Sequence, residues 1–400
     1  MPTARAGPNE PPSAFALLTP PGRGGIAVIR CIGPAAESAI QTCFRPAARS
    51  RPLPPAGSLA YGRLLDADGQ PLDEIILHRA GPAAFEVNCH GGPVAVQAIC
   101  RRLEALGLAS VDPDRLAAIE GIGRLERNAR QSLRQARTPL AARILLDQLN
   151  GALAQTVQRI LDDLGAGRLD EARSGIETLL ARWRGCGRFL ASPPRIAIAG
   201  RPNAGKSTLL NWLVGSDRAI TAETPGTTRD YVEAEAALDG VPVTLIDTAG
   251  LRETGETVER LGVERAQREI SRADVVIYLV DAIEGFQPDD QTALATIGDR
   301  ALPVWNKTDL KKTCPERSRG GSEPPPRLRS GQAFLSLSAL TGAGAAALAA
   351  ALLAHLGYRP TAPGDAVPFT PDHAAALERA GRAMAAGRQD EARRALDDLL

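Results

Sequence analysis

The chain contains very little lysine for its length. Of its 400 residues, 47 are Lys or Arg, and only four of these are Lys: Lys206, Lys307, Lys311 and Lys312. The formal net charge of +1 excludes a polybasic nucleic-acid coat or an acidic tail as the main feature of the protein. Since Arg supplies nearly all the positive charge, a remaining Lys can mark a place that needs a compact ammonium.

Aromatic residues, paired cysteines and long apolar runs are also scarce. Aromatics make up 4% of the chain, so its cores must be built from Ala, Leu, Val and Ile. The six cysteines form no Cys-x-x-Cys pair and have no His at zinc spacing, which predicts reduced thiols in a cytoplasmic protein. No apolar stretch reaches the roughly 18 residues needed to span a bilayer, so we expect no membrane segment. The short apolar run Ala14–Leu18 is ended by Pro20 and Pro21 and follows no basic segment, so we expect no signal peptide.

The pattern of residues changes along the chain and predicts five parts. Residues 1–14 are Pro-rich and predict a disordered arm. Residues 15–113 have short apolar runs between Gly and Pro, typical of an α+β domain. Residues 114–192 and 358–400 have helical periodicity, and residues 193–357 alternate strands with helices. We recognise no internal repeat in this pattern.

Particular segments follow from the same periodicities. Strands are predicted at Ile26–Ile32, Leu59–Leu64, Asp73–His78, Ala84–Asn88, Arg195–Ala199, Val241–Asp247, Ala273–Asp281, Ala301–Trp305 and Ala333–Leu337. Helices are predicted at Val94–Leu106, Leu140–Leu164, Leu169–Trp183 and within Pro371–Leu400. Residues 311–332, with six basic and two acidic side chains, predict a flexible surface insertion. A solvated loop is favoured there over an RNA contact.

One glycine-rich segment carries the clearest chemistry. Residues Gly200–Ser207 match the pattern GxxxxGK[ST] between a predicted strand and a predicted helix. Backbone N–H groups of such a loop surround a phosphate, the Lys206 ammonium reaches the β- and γ-phosphates, and the Ser207 hydroxyl binds Mg²⁺. The flanking strand and helix favour this function over an ordinary Gly-rich turn.

A second motif, Asn306-Lys307-Thr308-Asp309, follows a later predicted strand. The Asp309 carboxylate can accept hydrogen bonds from both N1–H and N2–H₂ of guanine, a donor pair that adenine lacks. We expect Asn306 to bond the other edge of the purine and the Lys307 stem to lie over the base. GTP is therefore favoured over ATP as the ligand.

Three further elements stand in the order typical of GTPases. Gly226–Asp230 offers Thr228 as a second hydroxyl on the metal, and Asp247 in Asp247–Gly250 can hold Mg²⁺ through water. Ser338 and Ala339 follow the last strand, where the Ala339 backbone can approach guanine O6. The expected GTP-binding residues are Asn203, Ala204, Gly205, Lys206, Ser207, Thr208, Thr227, Thr228, Asp247, Thr248, Ala249, Gly250, Asn306, Lys307, Asp309, Ser338 and Ala339.

After Asp247–Gly250 comes Leu251, not a Gln that could orient water, and no arginine finger is identifiable. With these departures the sequence resembles the MnmE/TrmE family of tRNA-modification GTPases. The resemblance rests on Gly200–Ser207, Gly226–Asp230, Asp247–Arg252 and Thr257–Arg260. It implies a K⁺ ion bound by Asn203, Ala222, Thr224 and Thr227 in place of the arginine finger. It also implies that Glu259 orients the catalytic water; the alternative for Glu259 is a solvated helix carboxylate.

The resemblance extends to the N-terminal part through Thr19–Ile26 and Glu86–Pro93. It implies a multidomain α/β fold, in which a P-loop GTPase domain with a mostly parallel sheet is inserted in a helical domain. An α+β tetrahydrofolate-binding-like domain precedes both and forms a homodimer. Arg30 and Glu86 match folate-contacting positions, although both can also be structural turn residues.

The implied activity is GTP hydrolysis with Mg²⁺ and K⁺ in 5-carboxymethylaminomethyl-type modification of the wobble uridine of tRNA. The implied partners are tRNA and the flavoprotein MnmG, and a tetrahydrofolate derivative is the implied one-carbon source. The family's Asn-Gly-Lys-Leu-Asp-Leu run has no counterpart, and residues 393–400 do not carry its Cys-x-Gly-Lys tail. An alternative therefore stays open: a divergent dimeric GTPase switch that hydrolyses GTP without the modification chemistry.

Overall fold

The computed structural model describes residues 12–20, 22–47, 53–216, 233–247, 268–311 and 334–400. Contacts divide the chain into two compact units, residues 1–127 and 128–400. In the described part of the chain, no helix has both the length and the apolar character that a bilayer crossing requires.

The first unit is built on a seven-stranded sheet of order β3-β4-β5-β6-β2-β1-β7. Its strands are β1 (Ala14–Leu17), β2 (Ile26–Ile32), β3 (Phe44–Pro46), β4 (Ser58–Leu65), β5 (Pro71–Gly81), β6 (Ala84–His90) and β7 (Ala109–Ser110). Its helices include α1 (Pro34–Cys43) and α2 (Pro93–Ala105). Alternate strand residues such as Ile29 and Val87 pack with α1 and α2 residues in one buried core.

Two expected boundaries in this unit are wrong. Ser13 and Ala14, assigned to a disordered arm, are ordered, because β1 pairs with both β2 and β7. The Ser13 hydroxyl also accepts a hydrogen bond from the Ala35 N–H at 2.9 Å. Helix α3 (Pro113–Ile119), most of which was assigned to the helical part, belongs to this unit because its Leu116 is buried with Ala14. The chain division lies within α4 (Arg124–Arg134).

The second unit contains a six-stranded sheet, which is mostly parallel, as predicted. Its order is β13-β12-β11-β8-β10-β9. The strands are β8 (Arg195–Gly200), β9 (Glu233–Leu238), β10 (Val241–Asp247), β11 (Val275–Asp281), β12 (Ala301–Asn306) and β13 (Leu335–Ser336). Among the described strands of this sheet, only β9 pairs antiparallel, through the turn at Asp239 and Gly240. Strand β9 was not predicted from the sequence.

Helices complete the second unit. They are α5 (Pro139–Leu149), α6 (Ala152–Gly165), α7 (Leu169–Arg182), α8 (Arg188–Ala191), α9 (Lys206–Ser216), α10 (Pro288–Ile297), α11 (Thr308–Lys311), α12 (Ala345–His355), α13 (Pro371–Ala385) and α14 (Gln389–Asp397). The helix predicted over Leu140–Leu164 is in fact α5 and α6, because Gly151 has φ +96° and interrupts it. The five residues Trp183–Gly187 form a π-helical turn after α7.

The helical part contains an internal repeat that the sequence analysis did not recognise. Residues 167–180 and 387–400 are identical at eight of fourteen positions, GRLDEARSGIETLL against GRQDEARRALDDLL. Both segments begin with a left-handed glycine, Gly167 at φ +75° and Gly387 at φ +73°. Both then enter a helix, so α6–α7 and α13–α14 are equivalent helical hairpins.

The two hairpins also pack on each other in an equivalent way. Helix α7 contacts α13, and α6 contacts α14, which are the same pair of contacts with the hairpins exchanged. The buried positions correspond at a separation of 220 residues, as Val157 with Leu377 and Ile176 with Leu396 show. Because one hairpin precedes the six-stranded sheet and the other follows it, the sheet domain is inserted between two copies of one helical unit.

Candidate functional site

The glycine-rich segment forms a tight loop between β8 and α9. Gly200, Asn203 and Gly205 have φ values of +144°, +62° and +92°. A Cβ on Gly200 would lie 2.4 Å from the Leu279 carbonyl oxygen, and one on Gly205 would lie 2.3 Å from Asn306 Nδ2. Both glycines are therefore required by backbone conformation and by space. In loops with such alternating backbone conformations, successive N–H groups can surround an anion.

The Lys206 ammonium lies at this loop. Its Nζ donates to the carbonyl oxygens of Gly200 at 3.0 Å and Arg201 at 2.8 Å. Ser207 and Thr208 follow in the first turn of α9, at the positive end of the helix dipole. A phosphate bound in the loop would meet an ammonium, a hydroxyl and a helix N-terminus from the same segment of chain.

Asn306 joins the loop to the end of β12. Its buried amide donates from Nδ2 to the Ala204 carbonyl at 2.8 Å and accepts from the Ala339 N–H at 2.9 Å. The sequence predicted this amide on the purine edge. In the structure the amide connects the phosphate loop with the segment of Ser338 and Ala339. Ser338 is buried, and its hydroxyl accepts from the Thr341 N–H at 3.2 Å.

Lys307 is held by an acidic residue that the sequence analysis missed. The Lys307 Nζ lies 2.7 Å from Asp281 Oδ2, and Lys307 itself has φ +61°. Burial of Asp281 opposes its ionisation, but hydrogen bonds from Lys307 and the Ile283 N–H outweigh this and hold its pKa below the usual value. The sequence signal that could have identified Asp281 is its position at the end of the predicted apolar strand Ala273–Asp281. In the structure Asp281 is in register with Asn306.

Of the remaining predicted GTP-site residues, Asp309 and Asp247 lie within the described part of the chain. Asp309 lies in the first turn of α11, two residues after Lys307 in the sequence. The backbone of Asp247 ends β10, in register with Ile198 of β8, so it reaches the same edge of the sheet as the phosphate loop. Lying outside the described residues are Ala222, Thr224, Thr227, Thr228, Thr248, Ala249, Gly250 and Glu259, together with most of the insertion at 311–332.

In the first unit, Arg30 and Glu86 are brought together. They are register partners on β2 and β6, and Arg30 Nη1 lies 2.6 Å from Glu86 Oε1. Arg30 also contacts Glu120 at 2.6 Å, and the His78 ring Nδ1 lies 2.9 Å from Glu86 Oε2. Burial opposes ionisation of Glu86, but hydrogen bonds from His78 and Arg30 prevail and lower its pKa.

An open cavity of about 370 Å³ adjoins this cluster, lined by Ile32, Gly33, Pro34, Ala83, Ala84, Ile119 and Glu120. Glu120 lines this cavity, and a carboxylate there can accept hydrogen bonds from the amino edge of a pterin. A glutamyl carboxylate would have to compete with Glu86 and Glu120 for Arg30. The cluster therefore fits the pterin end of a folate better than its anionic end.

The described cysteines are free thiols, and Cys31, Cys43, Cys89 and Cys186 are buried. Burial raises the pKa of Cys43 and of Cys89 to about 11, so both stay protonated at neutral pH. Among the residues that the structure describes, no group of three or more His, Cys, Asp or Glu side chains is placed to hold a metal ion.

Comparisons with known proteins match both the first unit and the part of the second unit that carries the phosphate loop. Residues 13–117 match the family "GTP-binding protein TrmE N-terminus", and residues 195–307 match "50S ribosome-binding GTPase". A relative from Aromatoleum aromaticum is 37% identical over 341 residues, covering 76% of this chain and 74% of that protein. Relatives from Azoarcus sp. and Chloroflexus aurantiacus are 36% and 34% identical, covering 89% and 96% of this chain and 84% and 91% of theirs.

All three relatives are named tRNA modification GTPase MnmE. The similarity spans the sheet of the first unit, the phosphate loop and the strand that carries Asn306. The resemblance found in the sequence is thereby confirmed, and the chain belongs to the MnmE family of tRNA modification GTPases.

Proposed function

We propose that the protein binds and hydrolyses GTP in the cytoplasm, and that this cycle serves 5-carboxymethylaminomethyl-type modification of the wobble uridine of tRNA. The observation that carries the proposal is the single buried amide of Asn306, which connects the phosphate loop to the segment expected to recognise guanine. A triphosphate in the loop and a guanine beside Asp309 are then contacts of one ligand.

The chain's own groups have distinct roles in this proposal. Lys206 exchanges its two carbonyl contacts for the β- and γ-phosphate oxygens, where its charge offsets the charge that develops during phosphoryl transfer. Asp309 selects guanine, and Glu259 orients the attacking water. Ser207 and Thr228 would hold Mg²⁺, and Asn203, Ala222, Thr224 and Thr227 would hold K⁺. Both cations supply positive charge to the phosphates.

The first unit is proposed to bind a tetrahydrofolate derivative beside Arg30 and Glu86 and to form a homodimer. The dimer is supported by apolar side chains exposed on one face of its sheet, among them Ile26 and Leu59 at 66% each and Tyr61 at 55%. Tyr61 lies opposite Ile76 in the register, so the apolar face continues from β4 to β5. The flavoprotein MnmG and tRNA are the proposed partners.

Two measurements test the proposal. Calorimetric titration of GTP with Mg²⁺ should show binding by the wild type and a loss of at least about 100-fold in affinity for Lys206→Ala, because the phosphates lose their ammonium. Arg382→Ala, which alters an exposed side chain of α13, serves as the matched control. Absence of heat with the wild type would refute GTP binding.

Mass spectrometry of wobble uridines then tests the tRNA step. Cells lacking the protein should lose the modification, the wild-type gene should restore it, and the Lys206→Ala gene should not. If cells lacking the protein still have fully modified wobble uridines, the tRNA function is contradicted and a GTPase switch is supported instead.

A further inference from the structure

The turn between β11 and α10, residues 281–287, contacts both ends of the nucleotide site. On one side it meets Arg201 of the phosphate loop, and on the other it meets Lys307 of the guanine-recognition motif. Neither contact was expected from the sequence. We call residues 281–287 the β11–α10 turn.

The contact with Arg201 is built on a buried carboxylate. Arg201 donates from Nε to Asp290 Oδ1 at 3.2 Å and from Nη2 to the Gly285 carbonyl at 3.0 Å. Asp290 is completely buried, and it also accepts from the Tyr278 hydroxyl at 3.0 Å and the Gln287 N–H at 2.9 Å. A buried carboxylate with three donors is costly to disturb, so it fixes the guanidinium firmly.

Arg201 is part of the phosphate loop itself. Its carbonyl oxygen accepts from Lys206, and the left-handed Asn203 follows two residues later. Anchoring the Arg201 side chain therefore fixes the position from which the loop begins to turn. The backbone conformation of Asn203 is strained, and such conformations persist only where the surroundings determine them.

The contact with Lys307 lies at the other end of the same turn. Asp281 accepts from Lys307 through Oδ2 and from the Ile283 N–H through Oδ1 at 2.8 Å. The Asp281 carbonyl accepts from the Gly285 N–H at 2.9 Å, which closes the turn on itself. Gly285 thus bonds Asp281 through its N–H and Arg201 through its carbonyl.

We propose that Arg201 and Asp281 are positioning residues that fix the distance between the phosphate loop and the guanine-recognition motif through the β11–α10 turn. The inference rests on the proposed GTP binding and adds to it two residues whose side chains are held by other groups of the protein. A ligand held at both ends binds tightly only when the two ends are correctly spaced before it arrives. Loosening either contact should therefore weaken binding of the whole nucleotide.

The experiment is a double-mutant cycle read by equilibrium binding of a fluorescent GDP. Arg201→Ala and Asp281→Asn should each raise the Kd about tenfold. Because both residues act through one turn, the Kd of the double variant should rise by much less than the roughly 100-fold expected for independent sites. Arg272→Ala, which removes an exposed guanidinium of the same unit, should leave the Kd within about twofold.

A conservative variant and a kinetic readout separate positioning from a general loss of structure. Arg201→Lys should give an intermediate Kd, since it keeps the charge and loses the fork. In turnover, Arg201→Ala should raise KM for GTP much more than it lowers kcat. If Arg201→Ala does not fold, the Arg201→Lys variant alone decides the phosphate side.

The outcomes are distinguishable. A wild type that binds no GDP would refute the proposed function, and the inference with it. A wild type that binds GDP, with a folded Arg201→Ala or Arg201→Lys that binds equally well, would overturn the positioning role alone. Fully multiplicative Kd effects in the double variant would overturn the coupling through the turn.

Discussion

Asn306 Nδ2 lies 2.8 Å from the carbonyl oxygen of Ala204, at a point where a Cβ on the neighbouring Gly205 could not fit. This hydrogen bond joins two motifs that are about a hundred residues apart in the sequence. The phosphate loop is therefore held in place by the same residue that begins the guanine-recognition motif.

Replacing Asn306 should weaken both the fold and nucleotide binding. Asn306→Ala leaves the Ala204 carbonyl and the Ala339 N–H without their buried partner, which costs about 1–3 kcal/mol. Urea denaturation without nucleotide measures this loss of unfolding free energy. Asn211→Ala, an exposed position on α9, is the control and should change it by less than about 0.5 kcal/mol. Equal stability of the two variants would contradict a stabilising role for the hydrogen bonds of Asn306.

Asp309→Asn should change which base is accepted. The amide keeps one acceptor but adds a donor facing the guanine N2–H₂, so affinity for GTP falls, whereas xanthine offers an oxygen at that position. Competition between GTP and XTP should show a shift in preference of at least about 100-fold toward XTP. An unchanged preference would mean that Asp309 does not contact the base.

Potassium should accelerate hydrolysis relative to sodium at equal ionic strength. The predicted K⁺ ligand Asn203 lies at the turn of the phosphate loop with φ +62°, where a cation beside it would lie next to the phosphates. Asn203→Ala should reduce the rate in K⁺ toward the rate in Na⁺. Steady-state phosphate release in the two salts gives the measurement, and equal wild-type rates would refute the cation site.

The repeated helical hairpins make a matched stability prediction. Gly167→Ala and Gly387→Ala should each destabilise the protein by about 1–2 kcal/mol, because alanine disfavours the left-handed backbone although space is open at both positions. Gly215→Ala, in helix α9 with equally open space, should instead stabilise by about 0.5–1 kcal/mol. Thermal unfolding compares the three variants, and unequal effects at Gly167 and Gly387 would argue against equivalent turns.

His90 should titrate above its usual pKa of 6.5. The hydrogen bond from its ring Nδ1 to Asp73 Oδ1, at 2.7 Å, raises the pKa, and the charge of Asp73 adds to this. The stabilising contribution is therefore complete below pH 6.5 and is lost as the pH rises through the elevated pKa. NMR titration of the ring measures the midpoint, which Asp73→Asn should lower toward 6.5.

Periodicity predicted the elements that are long or fully buried. Strand β2 has the predicted bounds Ile26–Ile32, and β11, buried at every position, was found within two residues of its observed start. Features that depend on distant partners were not predicted correctly. Most of helix α3 was assigned to the helical part, although its Leu116 is buried with Ala14 of the first unit, and β9, which is paired with β10, was missed. The repeat is present in the sequence, but only the structure shows that the two segments form equivalent hairpins that pack on each other through equivalent contacts.

The sequence by itself determined the chemistry of the phosphate loop and the guanine motif, because these depend on residue types at short, fixed spacing. It also determined the family. Only the tertiary structure decided which contacts hold the motifs together. These are the hydrogen bonds of Asn306 to Ala204, of Lys307 to Asp281 and of Arg201 to Asp290. These partners are separated by 26 to 102 residues, and a hydrogen bond of about 3 Å between them exists only once the sheet has brought the strand ends to one edge.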